Sequence, residues 1–368
     1  MTKWLIKDST ETNKLLTTSK VFGNNEVFIL DHYSGKFPII EYQNKIVPHP
    51  TYYPSLQLDS NMATALQGYV NGNKTQSIKD FLDFVTRNKW GMVLSFYYIE
   101  DYSKILEQGL SLDEAIKKFK SFAIPKTEAI LKIYLMDENH FLKTGEIRET
   151  DIQTQKNYYL REHSSISELA QSRVNNFIKF YDTEYFKQIL IIKILIIKMV
   201  LIHNFELDNK KPNEKLNAFD DFMQEHLGVI LSREIMLADL YFRGKTGKFL
   251  GINKNSSLKN ILQNISSTAW DIFLLRLPEL SFVHYNGLHP DGTMDLPYIA
   301  TKEVKLFEFG KLFEYDHIHT NSDSTKLVYF TNNNFTYSID KKIYSNKKDY
   351  PENLLNDLLS ELKRLYPK

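Results

Sequence analysis

Acidic side chains at the ends of apolar segments are the residues of this chain best placed to do chemistry. The stretch Tyr53–Val70, YPSLQLDSNMATALQGYV, predicts a strand that ends at Asp59 and a helix that follows at once, with Ser60 or Asn61 as its cap. A charge at the end of a buried strand is unfavourable unless it has a partner. Ligands of open parallel sheets bind beyond the carboxyl ends of the strands, so Asp59 is predicted to lie at a binding site.

Asp271 is a second acid at a position where a charge needs a partner. Its neighbours along the sequence are Ala269, Trp270, Ile272, Phe273, Leu274 and Leu275. Apolar residues on nearly every side of a helix are typical of a buried helix. A carboxylate inside such a helix must be paired, hydrogen-bonded or bound to a metal. A salt bridge, for example to Arg276, and a metal site are both open interpretations of Asp271.

Strands alternate with helices around these acids. Met92, Val93 and Leu94 predict a short strand, and Ser95 is the candidate N-cap of the helix that follows, which places Glu100 in its second turn. Strands that alternate with helices favour an α/β core with a parallel sheet. From there to about residue 265 the apolar spacing of three and four predicts helices.

The last hundred residues continue the alternation. The helix that contains Asp271 is predicted to end near Pro278, and a strand is predicted at Tyr298 to Ala300. The segment KLVYF-TNNN-FTYSI predicts a hairpin, and an amphipathic helix starting near Pro351 closes the chain. These patterns divide the chain into a β-rich N-terminal extension (1–52), an α/β core (53–110 and 260–325), a helical insertion (111–259) and a C-terminal hairpin and helix (326–368).

Composition limits the classes of function. Lys and Arg number 46 against 45 Asp and Glu, so a nucleic-acid partner would have to be bound by a local basic patch. The absence of cysteine excludes disulfides, thiolate metal sites and a cysteine nucleophile. The most apolar run, Ile189 to Ile202, is 14 residues long and contains Lys193 and Lys198. A membrane span needs about 20 residues, so this run predicts a buried helix, no membrane partner and a cytoplasmic protein.

Four short acidic motifs occur in an order that resembles the PIN-like nuclease family: LDSN, SFYYIED, TAWDIFLL and YIATKE. The resemblance covers roughly residues 53–110 and 260–310 and implies a PIN-like core interrupted by the helical insertion. It implies that Asp59, Glu100, Asp271 and Glu303 form a catalytic carboxylate cluster at one edge of the parallel sheet. In this family such a cluster binds Mg²⁺ or Mn²⁺, which clustered carboxylates can hold without cysteine or histidine.

Two features depart from the family pattern. The segment between Glu100 and Asp271 is far longer than a compact family member needs. The last acid is Glu303, where the family more usually has Asp, so Thr301 or Glu308 is an alternative ligand at that position.

Asn61 and Asp239 are candidate additional ligands, and Asp239 precedes a basic loop, FRGKTGKFLGINKN. The loop lacks the first glycine of a Walker A motif, because Asp239 occupies that position. Arg243, Lys245 and Lys248 are interpreted as contacts to a nucleic-acid backbone, with a plain solvated turn as the alternative.

The function that the resemblance implies is metal-dependent hydrolysis of phosphodiester bonds, with RNA favoured over DNA. A toxin or phage-defence role follows from the resemblance alone. A catalytically silent PIN-like scaffold that binds nucleic acid or a regulatory protein partner is one alternative. A helical interaction protein without nuclease ancestry is the other.

Overall fold

A computed structural model describes residues 17–33, 39–42, 45–46, 51–181, 184–228, 231–246, 249–284, 293–320, 326–330 and 351–366. The chain forms two compact units. The first comprises Met1–Tyr181 and Arg276–Thr331, and the second comprises Asp182–Leu275 and Asn332–Lys368. The residues predicted to form one helical insertion are therefore divided between the two units.

Among the described residues, all strands lie in the first unit, and helices occur in both. The strands are β1 (Lys20–Phe22), β2 (Val27–Leu30), β3 (Ile39–Tyr42), β4 (Lys45–Ile46), β5 (Thr51–Leu58), β6 (Gly91–Val93), β7 (Thr293–Thr301), β8 (Tyr315–Thr320) and β9 (Lys326–Phe330). The helices are α1 (Ser60–Val70), α2 (Gln76–Asn88), α3 (Ser95–Leu106), α4 (Leu112–Tyr134), α5 (Glu138–Thr144), α6 (Ile152–Gln155), α7 (Ile166–Lys179), α8 (Glu184–Leu201), α9 (Pro212–Phe222), α10 (Ser232–Phe242), α11 (Leu258–His284), α12 (Val304–Gly310) and α13 (Pro351–Leu365). Single π-helical turns follow α6, α8 and α9 at Lys156–Leu160, Ile202–Glu206 and Met223–Leu227.

A mixed sheet of order β1-β2-β7-β5-β6 is the centre of the first unit. Strands β7, β5 and β6 are mutually parallel, whereas β2 pairs antiparallel with β7 and β1 with β2. The prediction of an α/β fold with parallel strands is therefore confirmed for the three strands β7, β5 and β6. Their carboxyl ends meet at one edge, where Asp59 follows β5, Thr301 ends β7 and α3 begins after β6.

Aromatic and aliphatic side chains hold the helices of the first unit against this sheet. Leu56, Trp90 and Tyr298 are buried, and the rings of Trp90 and Tyr298 lie 4.5 Å apart between centroids. Helix α4 begins with a capping box, since the Ser111 hydroxyl accepts from the Glu114 amide and the Glu114 carboxylate accepts from the Ser111 amide. A second sheet, of order β4-β3-β8-β9, completes the strands of this unit.

Three local predictions need correction or lie outside the described residues. Ser95 is the first residue of α3 and not its cap, because the buried Leu94 already has helical dihedral angles. Helix α11 continues through Pro278 to His284, since tertiary packing overrides the local preference of proline. Of the predicted hairpin, β9 is described and pairs with β8, while its turn and second strand lie outside the described residues.

The second unit contains the most apolar helix. By length and composition, Gln188–Glu206 is able to cross a membrane, but its side chains are mostly buried, as in the core helix of a soluble protein. Lys198 lies within this segment and forms an ion pair with Glu206 at 2.7 Å. Helix α13 packs against α8, and its Leu354, Leu358 and Leu362 side chains are buried.

Candidate functional site

Asp59 lies at the point where β5 turns into α1. Its amide donates to the Ala300 carbonyl of β7 at 3.1 Å, which continues the parallel ladder by one residue. It occupies the N-cap position of α1, but its side chain makes no capping hydrogen bond. Only 7% of the residue is exposed. Within the described part of the chain, the one hydrogen-bond donor to its carboxylate is the buried Thr301 hydroxyl, at 2.6 Å from Oδ2.

Glu100 is the second acid at this edge, and α3 carries it there. Its Oε1 accepts from the Lys104 ammonium at 2.5 Å, one helical turn along α3. Its Oε2 accepts from the Ser60 hydroxyl at 2.5 Å, and the same hydroxyl lies 3.1 Å from Oδ1 of Asp101. Asp101 in turn forms an ion pair with Lys126 at 3.0 Å. Hydrogen bonds and ion pairs thus link these charged and polar groups into one network along α3.

Glu303 is the third acid, and it follows β7. Its amide donates to the Thr301 hydroxyl at 3.0 Å, and its exposed carboxylate accepts from the Asn61 amide group at 3.3 Å. Oδ1 of Asn61 accepts from the Lys302 amide at 3.1 Å. Asn61 therefore ties the start of α1 to the segment that leaves β7.

The three acids are close enough for their charges to interact. The pKa of Asp59 is raised from 3.8 to about 7, mainly by burial and then by the carboxylates of Glu100 and Glu303, against the Thr301 hydrogen bond and the Lys104 charge. Burial lowers the pKa of Lys104, but Glu100, followed by Asp101 and Asp59, reverses this effect, so the net direction is upward. We call the group Asp59, Glu100 and Glu303 the carboxylate pocket.

The donors of the carboxylate pocket are hard oxygens, which suit Mg²⁺ or Mn²⁺. Among the residues that the structure describes, however, no three His, Asp or Glu side chains are placed to hold a metal ion together. Both oxygens of Glu100 accept hydrogen bonds, and Glu303 is bonded to Asn61. A cation would therefore have to exchange with at least one of these partners.

The other predicted site residues lie elsewhere or have other partners. Asp271 is half-buried on α11 between buried apolar neighbours and belongs to the second unit, so its contribution to the pocket stays a prediction. Asp239, also in the second unit, accepts from Arg243 at 2.8 Å, one turn along α10. Glu308 is exposed and forms an ion pair with Lys311 at 2.8 Å.

The basic loop is only partly described. Nη2 of Arg243 donates to Asn213 at 2.8 Å, so its guanidinium has partners within the second unit. Lys245 is exposed, and Lys248 lies outside the described residues. Contact of this loop with nucleic acid stays a prediction.

Sequence reasoning missed the cations of the pocket. Glu100 and Lys104 are four residues apart on one helix, a spacing that brings opposite charges together and was the available signal. Lys126 is 25 residues from Asp101 on another helix, and no local pattern points to that pair. Ser60 and Asn61 were predicted as caps, but their side chains bond to α3 and to the segment after β7 instead.

The fold and the site define a mixed α/β protein with a buried carboxylate at the edge of parallel strands. No protein-family model matches the chain, and no curated protein or solved structure is significantly similar to it. The chemistry of this pocket and the order of the acidic motifs are therefore the two observations that bear on function.

Proposed function

We propose that the protein is a divalent-metal-dependent nuclease that hydrolyses phosphodiester bonds, with RNA favoured over DNA. The observation that carries the proposal is the buried Asp59 carboxylate, which lies at the carboxyl edge of three parallel strands and is repelled by Glu100 and Glu303. A bound cation relieves such repulsion, so this arrangement suits a cation site. The resemblance to PIN-like nucleases adds the reaction class, the preference for RNA and a toxin or phage-defence role.

Each residue of the pocket has a distinct part in this proposal. Asp59, Glu100 and Glu303 would hold Mg²⁺ or Mn²⁺. The Thr301 hydroxyl orients Asp59 by its hydrogen bond. When bound, the ion supplies an activated water and stabilises charge on the phosphoryl oxygens and the leaving group.

A catalytically silent scaffold is the second candidate. It is favoured by the Lys104 and Ser60 contacts that engage both oxygens of Glu100, and by the exposed position of Glu303. In this alternative the helical segment 111–259 binds nucleic acid or a protein partner without cleaving a bond.

Calorimetric titration with Mn²⁺ and a cleavage assay separate the candidates. The wild type should bind Mn²⁺ and cleave, whereas Asp59→Asn should bind roughly tenfold or more weakly and lose cleavage, because the ion loses a ligand. Asp113→Asn is the matched control, since Asp113 is exposed in the first turn of α4.

Single-stranded RNA, structured RNA and single-stranded DNA are the substrates to compare. Binding of one of them without cleavage in Mn²⁺ would favour the scaffold. A wild type that binds no Mn²⁺ would contradict the metal-dependent nuclease.

A further inference from the structure

We propose that Lys104 is a resident counter-ion of the carboxylate pocket, and that a divalent cation must displace it from Glu100 in order to bind. The inference rests on the proposed function, because it concerns how the same pocket accepts its metal. It assigns to Lys104 the control of metal affinity and of selectivity between cations of different charge.

The first observation is the unequal exposure of the two partners. The Lys104 side chain is 41% exposed, whereas the Glu100 side chain is 8% exposed, with Nζ and Oε1 2.5 Å apart. The ammonium can therefore move into water by rotation of its own flexible side chain. The carboxylate has no such freedom and stays in the pocket, where it needs a positive partner.

Lys126, which pairs with Asp101 in the same network, differs from Lys104 in its exposure. Its side chain is 13% exposed and that of its partner Asp101 is 16% exposed. The Lys126 ammonium also lies 5.6 Å from the ring centroids of both Tyr97 and Phe122. An ion pair that is covered and supported by two rings is a fixed structural contact. Of the two lysines, Lys104 is thus the exchangeable one.

The second observation is the state of Asp59. It is almost fully buried at the N-cap of α1, yet its carboxylate does not cap the helix. Among the described residues its one hydrogen-bond donor is the neutral Thr301 hydroxyl. Lys104 influences Asp59 through charge alone and more weakly than Glu100 does. In the part of the chain that the structure describes, no cation bonds directly to this buried carboxylate, and the pocket carries more negative charge than one ammonium balances.

This imbalance makes the exchange selective for charge. A monovalent cation that replaced the ammonium would leave the net charge of the pocket unchanged. A divalent cation would reduce the remaining negative charge by one unit, and the repulsion of Asp59 would fall with it. Lys104 is consequently expected to exclude monovalent ions while it lowers the affinity for divalent ions.

The test is calorimetric titration of Mn²⁺ at neutral pH with four proteins. Lys104→Met keeps most of the apolar stem and removes the charge, and Lys104→Arg keeps the charge. Lys74→Met is the matched control, because it removes one charge from an exposed pair with Glu146. Lys104→Met should bind Mn²⁺ roughly three- to tenfold more tightly than the wild type, while Lys104→Arg and Lys74→Met should stay close to the wild type.

Melting temperature in EDTA is the second readout and requires no activity. In EDTA, Lys104→Met should melt roughly 2–4 °C below the wild type, because it has lost the counter-ion. With added Mn²⁺, Lys104→Met should melt above the wild type. Lys104→Gln repeats the neutralisation with a polar side chain, so a poorly folded Met variant does not remove the test.

The outcomes separate the two proposals. Equal or weaker Mn²⁺ binding by the neutral variants, with normal binding by the wild type, would overturn the role of Lys104 and leave the nuclease proposal standing. Binding by the neutral variants but not by the wild type would contradict both proposals, because Mn²⁺ would then fail to displace Lys104 from Glu100. Absence of binding in every protein would overturn both proposals.

Discussion

Replacement of Asp59 by Asn is the most direct test of the carboxylate pocket. The change removes one charge and almost no volume, and the Asn carbonyl oxygen can still accept from Thr301. In the folded protein the pKa of Asp59 is raised from 3.8 to about 7 by burial and by the charges of Glu100 and Glu303. While no cation is bound, this carboxyl group is therefore mostly protonated below about pH 7 and mostly ionised above it.

The sign of the pH dependence follows from this shift. The folded state binds the Asp59 proton more tightly than the unfolded state does. The stabilisation that this proton gives to the folded state is fully present below pH 3.8 and is lost as the pH rises through about 7. One pKa unit corresponds to about 1.4 kcal/mol, so the free energy of unfolding should fall by up to about 4 kcal/mol over this range. Asp59→Asn removes this dependence.

Urea unfolding in EDTA, followed by tryptophan fluorescence at a series of pH values, measures the effect. At about pH 9 the variant should be more stable than the wild type by up to about 4 kcal/mol, and the difference should shrink towards about pH 4. Added Mn²⁺ should stabilise the wild type and have much less effect on the variant. Asp113→Asn, which changes an exposed acid of α4, should give a difference that does not grow with pH.

The opposite result would refute this account of Asp59. A buried acid that balances a buried cation leaves that cation uncompensated when it is replaced, at a cost of roughly 3–5 kcal/mol. A variant that is less stable than the wild type by this amount in EDTA at about pH 9 would identify Asp59 as one half of a structural ion pair.

Two further substitutions test the surroundings of the pocket by urea unfolding. Thr301→Val removes the hydrogen-bond donor to Asp59. It should lower the free energy of unfolding by about 1.5–3 kcal/mol above pH 7, where the acceptor is charged, and by less at about pH 5. An equal loss at both pH values would contradict a hydrogen bond to an ionising group. Lys126→Met breaks the covered pair with Asp101 and should lower it by about 2–4 kcal/mol, whereas Lys74→Met at an exposed pair should change it by less than about 1 kcal/mol. Similar losses for both lysines would show that coverage of the pair has no effect.

The sequence predicts those features of the pocket that depend on neighbouring residues. A β-like run that ends in Asp59 and continues as an apolar helix predicts a carboxylate at a strand end, and the structure confirms that β5 ends at Leu58. Glu100 lies in the second turn of α3, as its spacing from the preceding strand predicts. These placements follow from strand and helix periodicity, which local sequence contains.

Features that depend on distant residues could not be predicted in this way. Ser60 and Asn61 have side chains suited to capping a helix, but these side chains form hydrogen bonds with Glu100 of α3 and with the Lys302 amide after β7 instead. No local sequence pattern indicates those partners. The continuation of α11 past Pro278 likewise reflects packing that proline propensity does not contain. The covered pair of Lys126 and Asp101 is a tertiary contact of the same kind.

The pairing of β5 with β7 also has a consequence for synthesis of the chain on the ribosome. Thr301, at the end of β7, lies 242 residues after Asp59. At elongation rates of roughly 5–20 residues per second, β5 waits about 10–50 seconds before this neighbour emerges. During that interval β6 can pair along one side of β5, while the other side remains an open strand edge that is able to recruit other chains. Nascent chains stalled before residue 293 should therefore depend on chaperones more than chains that have reached Thr301.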